Sequence, residues 1–154
     1  MTTATISQWP LVRKGDQQHP VQTLQYLLRA RGHSVAVDGI FGSGTDAAVR
    51  AFQHQKNLSV DGIVGPQTWS ALVITVQQGS QGDAVRGVQE EFKMRELSGN
   101  PNAGLAVDGI FGPATDAKVR GFQQALHLDI PSITVDGIVG PVTWQALISG
   151  MLFL

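Results

Sequence analysis

The 154-residue chain contains no cysteine, so no disulfide can staple it and no thiolate is available as nucleophile or metal ligand. No apolar run approaches the roughly 18 residues needed to cross a bilayer, which excludes a membrane-spanning helix. Positive charge is scarce too: the net charge is -1. Splitting the chain after Thr75 leaves six basic against four acidic residues, then five against eight. Neither half offers the clustered Lys and Arg that neutralise several phosphates, so nucleic acid is not an expected partner. No segment alternates with period two, so strands are expected to be minor. The first fifteen residues, MTTATISQWPLVRKG, lack the basic start and apolar stretch of a secretory signal.

What is present is repetition. VDGIFGSGT at 37–45, VDGIVGPQT at 60–68, VDGIFGPAT at 107–115 and VDGIVGPVT at 135–143 are copies of one nonapeptide. Around them Phe41, Arg50, Phe52 and Gln53 recur as Phe111, Arg120, Phe122 and Gln123, and Asp61 and Trp69 as Asp136 and Trp144. Upstream, Gly15, Val21, Leu24 and Leu28 recur as Gly79, Val85, Val88 and Phe92. The register slips at two stretches rich in turn formers, Ser98 to Ala103 and Asp129 to Thr134, which read as longer loops in the second copy. The chain is therefore read as two duplicated units, 1–75 and 76–154. Units of that size bury only about 60 to 65 per cent of their unfolded surface, so helix packing and turn geometry must hold them.

Each unit reads as three short helices. Residues 20–32 place Val21, Leu24, Leu27 and Leu28 on one stripe, with Pro20 suited to the first turn and Gly32 to the end. Residues 44–57 bury Ala48, Val49 and Phe52, and residues 66–73 bury Trp69, Leu72 and Val73. The second unit repeats these stripes as Val85, Val88 and Phe92, then Val119, Phe122 and Leu126, then Trp144, Leu147 and Ile148. The nonapeptide is the turn that starts a helix: Asp can accept from nearby backbone N–H groups and Gly accepts positive φ. Pro66, Pro113 and Pro141 then open their helices, since proline at the first helical position loses no useful N–H. The Ser43-Gly44 copy lacks proline, and a glycine inside the helix there costs about 1 kcal/mol in propensity, making that helix the likelier to fray.

A helix of the form AVxxLQxxL, then VDGIFGxxT, a helix with VRxFQ, and VDGIVGPxTWxAL together resemble the peptidoglycan-binding domain family, which is found appended to bacterial and phage cell-wall hydrolases. The likeness runs from Leu11 to Leu72 and from Val76 to Leu147. It implies an all-α fold of two tandem three-helix domains and non-catalytic binding of peptidoglycan in the wall or outside the cell. A cell-wall hydrolase is then a further partner, with no cofactor, metal or membrane insertion. A protein partner or another polysaccharide is the alternative ligand, and the targeting part of a hydrolase the alternative role.

Peptidoglycan offers hydroxyls, acetamido groups and carboxylate-ended stem peptides, so its reader needs donors beside an apolar surface. Arg50 and Arg120 can present a planar fork to a carboxylate, and Gln53 and Gln123 lie three residues on, sharing their helix face. Phe41 and Phe111 can supply the apolar wall, and N–H groups at the helix start can receive a carboxylate. Each has a structural alternative: the arginines can pair with Asp46 and Asp116, the glutamines bond a turn, and the phenylalanines plug the core. Trp69 and Trp144 read as core, and Asp38, Asp61, Asp108 and Asp136 as turn residues.

Catalysis is not expected. A glycosidase needs two carboxyls facing one bond, yet Glu occurs only at 90, 91 and 96, on or just after the polar side of one helix. His19, His33, His54 and His127 have no zinc-site spacing and do not recur between units. No serine stands in a GxSxG context.

Overall fold

A computed structural model describes residues 5–95 and 105–152. The expected six helices are α1 (Val21–Ala30), α2 (Ser43–Gln55), α3 (Pro66–Leu72), α4 (Asp83–Arg95), α5 (Pro113–Asp129) and α6 (Pro141–Ile148). Among the described residues there is no strand, only isolated antiparallel bridges at Val12–Val64, Gln17–Ile40, Val76–Val139 and Gln81–Ile110. Pro66, Pro113 and Pro141 open α3, α5 and α6 behind an extended glycine. The proline-free α2 starts the same way behind Gly42 and carries Gly44 in its first turn. Of the two longer loops, 98–103 lies outside the described residues, and the other begins one residue late because α5 runs through Asp129.

All the expected apolar stripes face inward. Val21, Leu24, Leu27, Leu28, Trp69, Leu72, Val85, Val88, Trp144 and Leu147 have no exposed surface. Each tryptophan keeps its polar end satisfied by an extended segment that crosses it. Trp69 Nε1 donates to the Pro10 carbonyl at 2.9 Å and Trp144 Nε1 to the Ile74 carbonyl at 2.7 Å. Residues 74–79 are thus no free tether: Val76 exchanges backbone hydrogen bonds with Val139, and Gly79 N–H donates to Phe111. Trp9 stacks on Trp69 with centroids 6.2 Å apart, and Met151 packs on the core, whereas Leu11 is 70% exposed.

The halves meet along α1 and α4. His19, just before α1, reaches Glu91 late in α4, and Arg29, near the end of α1, reaches Asp83 at the start of α4, so the two helices run antiparallel. Gly87 lies between these contacts, where an added Cβ would meet Trp144 at 3.4 Å and Tyr26 at 3.6 Å. The seam corrects one expectation. Glu91 is not on a polar face: it is fully buried and accepts from Thr23 Oγ1 at 2.6 Å and Arg95 Nη1 at 2.7 Å, with His19 Nε2 at 2.9 Å. Burial of a carboxylate is tolerated only with such partners. Arg95 also donates to the Leu147 and Met151 carbonyls, as Arg31 does to Leu72 and Val73, so each arginine closes the C-terminal end of its half's last helix.

Candidate functional site

Every copy of the nonapeptide is gripped by a buried glutamine from the preceding helix. Gln123 Nε2 donates to Asp136 Oδ1 (3.2 Å), the Ile138 carbonyl (3.0 Å) and Thr143 Oγ1 (3.2 Å), while its Oε1 accepts from the N–H groups of Asp136 and Gly137. Gln53 holds Asp61, Ile63 and Thr68 in the same way and accepts from Gly62. Gln25 grips Asp38, Ile40 and Thr45, and Gln89 grips Asp108, Ile110 and Thr115. The backbone N–H donors fix which end of each amide is oxygen. The chain is thus four copies of a helix, a clamped turn and the next helix. The clamp glutamines Gln25 and Gln89 were not among the candidates, although the recurrence of Gln before each signature was a readable signal.

These contacts settle where the predicted residues lie. Gln53 and Gln123 are 1% exposed with their amides engaged, and Phe41 and Phe111 are also 1% exposed, plugging the core. All four are committed to the turn or the core, and of them Gln123 still reaches the lining of a surface groove, the one at the entrance of α6. Arg50 and Arg120 are exposed, but each pairs with an aspartate four residues back, Asp46 at 3.1 Å and Asp116 at 3.0 Å. They lie flat over the turn glycines: a Cβ on Gly62 would meet Arg50 Nη2 at 2.7 Å, and one on Gly137 would meet Arg120 Nη2 at 2.9 Å. Both glycines also have left-handed φ, 73° and 75°, so two independent constraints select glycine there.

Outside the clamp, the same turn forms an open groove at the helix entrance. At α3 a groove of about 420 Å³ is lined by Leu58, Ser59, Asp61 and Ile63 on one side and Gly65 to Thr68 on the other. At α6 its counterpart of about 250 Å³ is lined by Ile133, Thr134, Asp136 and Ile138 facing Gly140 to Thr143. A third, of about 250 Å³, stands at α2 beside Asp38, Ile40 and Thr45. Leu11 also lines the α3 groove and lies against Gly65, where the α6 groove has the Thr75 hydroxyl near Gly140. Neither Arg50 nor Arg120 lines them.

The lining of the α3 and α6 grooves is in each case apolar side chains with hydroxyls, one glutamine and one carboxylate, and no cation. In Asp61 and Asp136, Oδ1 is held by the clamp glutamine and by the N–H of Ile63 or Ile138. The backbone N–H of Ile63 holds the Asp61 carboxyl below the usual carboxylate range, and Ile40 and Ile110 do the same for Asp38 and Asp108. The Asp38, Asp61 and Asp108 carboxylates are thereby favoured in the ionised form and can accept hydroxyl or amide N–H. Such a groove suits a neutral, hydroxyl-rich ligand with apolar faces. Among the described residues no group of three or more His, Cys, Asp or Glu is placed to hold a metal ion, and no helix is long and apolar enough to cross a membrane.

Comparison with known proteins identifies the family of both halves. The family model described as "Putative peptidoglycan binding domain" matches residues 17–72 and 81–147. The chain is 41% identical over 90 residues to the zinc D-Ala-D-Ala carboxypeptidase of Streptomyces albus G, covering 57% of this chain and 30% of that protein. It is 34% identical over 128 residues to the N-acetylmuramoyl-L-alanine amidase CwlM of Mycobacterium tuberculosis, covering 75% of this chain and 29% of that protein. Among solved structures, a peptidoglycan-binding protein from Clostridioides difficile is 43% identical, with a TM-score of 0.42, over 44% of this chain and 42% of that one. The chain spans less than a third of the length of these two curated relatives. With both halves matched and six helices in the expected order, the chain belongs to the peptidoglycan-binding domain family.

Proposed function

We propose that the chain binds cell-wall peptidoglycan without cleaving it, through neutral glycan contacts in the grooves at α3 and α6, and so holds or targets its bearer at the wall. The observation that carries this reading is the recurrence of one groove, with the same aspartate, isoleucine and helix entrance, in both halves. Sugar hydroxyls and acetamido N–H groups would donate to Asp61 or Asp136, and the apolar faces of the ring would lie on Ile63 or Ile138. Arg50 and Arg120, on the outer side of the clamped turns, stand as further contacts. Two grooves on one body meet a repeating polymer at an effective concentration in the mM range, so about 10² to 10⁴ in avidity can follow from duplication alone.

A non-catalytic role is supported by the arrangement of the acids. The signature aspartates stand singly at helix entrances, each tied to its own glutamine, and Glu91 is sealed in the seam. No two of these face a shared bond, as glycoside hydrolysis requires. The hydrolase names of the relatives favour the targeting part of a wall hydrolase, acting at the wall or outside the cell. Cosedimentation with purified sacculi, with chitin and cellulose as controls, tests the reading: the protein pellets with sacculi and releases no soluble fragments. Fragment release by the pure protein would reopen catalysis, and failure to pellet would favour a protein ligand.

A further inference from the structure

We infer that the cleft between the two halves receives the C-terminal carboxylate of a short peptide, with Arg29 as its anchor; this rests on the peptidoglycan reading, whose stem peptides end in carboxylates. The glycan grooves contain no cationic side chain, whereas a separate cleft has one. Most arginines are already committed. Arg31 and Arg95 hold helix-end carbonyls, and Arg50, Arg86 and Arg120 each bond an aspartate. Arg29 differs: its side chain makes no hydrogen bond among the described residues, and its ion pair with Asp83 is loose, Nε to Oδ2 at 3.5 Å.

Arg29 lines a cleft of about 560 Å³ with Asp83 and the loop from Gly32 to Ala36. Its lining comes from the first half except for Asp83, which closes it from the start of α4. Asp83 Oδ1 already accepts from Arg86 Nη1 at 3.0 Å, outside the cleft lining, so Asp83 is shared and neutralises Arg29 only in part. Along the loop, the backbone N–H groups of Ser34, Val35 and Ala36 and the Ser34 hydroxyl have no partner among the described residues. A planar fork, a hydroxyl and the unpartnered backbone donors available along this loop match a carboxylate followed by a peptide group. Val35 and Ala36 leave room for small apolar side chains, and the volume exceeds what a simple inorganic anion fills.

The test is a titration of the intact, isotope-labelled chain with N-acetyl-alanylalanine and, separately, with its C-terminal carboxamide. The acid shifts the Arg29 Nε–H and the amides of Ser34 to Ala36, and the carboxamide does not. Arg29→Gln weakens the acid by about tenfold or more, the loss expected for a hydrogen bond to a charged group. Asp83→Asn tightens it by about two- to fivefold, because the competing surface carboxylate is gone. That opposite sign is not what a merely structural pair would give, and both variants keep the spectrum of the rest of the chain. Equal shifts from acid and carboxamide, or an unaltered affinity in Arg29→Gln, overturn the inference. If that happens while the protein still pellets with sacculi, the cleft is dropped and the groove reading stands; loss of pelleting with the titration intact removes the grooves instead.

Discussion

Thr23 Oγ1 donates to Glu91 Oε2 at 2.6 Å, one hydrogen bond that joins α1 of the first half to α4 of the second in the interior of the seam. Glu91 is fully buried, with Arg95 at 2.7 Å and His19 at 2.9 Å, so its removal strands a cation rather than opening a neutral gap. Glu91→Ala is expected to cost about 3 to 5 kcal/mol, as when one partner of a buried pair is lost. Thr23→Val, which deletes only the donor, should cost about 1 to 3 kcal/mol. Urea unfolding of both variants checks the order, which fails if the two cost the same.

The clamp glutamines should outweigh their exposed neighbours. Gln53→Ala leaves the Gly62 N–H and the Ile63 carbonyl without their partner and opens a cavity, for about 2 to 4 kcal/mol in total. Arg50→Ala, three residues earlier and exposed, should cost within about 1 kcal/mol. Calorimetric melting of the pair decides it, since a ligand-contact role for Gln53 would leave stability unchanged and reduce wall binding alone.

Acid should weaken the turns before the core. Asp38, Asp61 and Asp108 have carboxyls held below their unfolded value, chiefly by backbone N–H donors. Such groups bind fewer protons folded than unfolded, so they add stability above a pH of about 4 and lose it as the pH falls through the folded value. Glu90, pushed upward by burial, works in the opposite sense: it favours the fold at low pH and loses that contribution as the pH rises through its folded value. Asp61→Asn keeps an acceptor oxygen but removes the titration. Its urea stability between pH 3 and 6 should rise less steeply than that of the unaltered chain, and parallel curves would refute the assignment.

The helices were readable because local signals agree: Pro66, Pro113 and Pro141 open them, and the stripes of Leu24, Phe52, Trp69 and their copies close the core. The seam was not readable. Glu91 shares its helix face with Ala84, Gly87 and Val88, yet a charged residue there reads as solvated until Thr23 and His19, 68 and 72 residues away, are brought to it. Gln53 and Gln123 were legible as special but not as clamps, since a recurring polar residue marks a turn bond and a ligand contact alike. Phe41 and Phe111 were ambiguous for a related reason, being apolar residues beside a turn whose inner and outer sides the sequence does not distinguish. The grooves arise from three separate stretches, with Leu11 lying across the turn and helix start of the first, and so emerge only in three dimensions.

The central claim, that the paired grooves hold the wall, is tested most directly by filling them. Gln67 and Val142 occupy equivalent exposed positions on their rims. Tryptophan at both, Gln67→Trp with Val142→Trp, should leave melting unchanged and shift the protein from the sacculus pellet to the supernatant, with each single change intermediate. A doubly filled protein that pellets with sacculi as fully as the original would contradict the account.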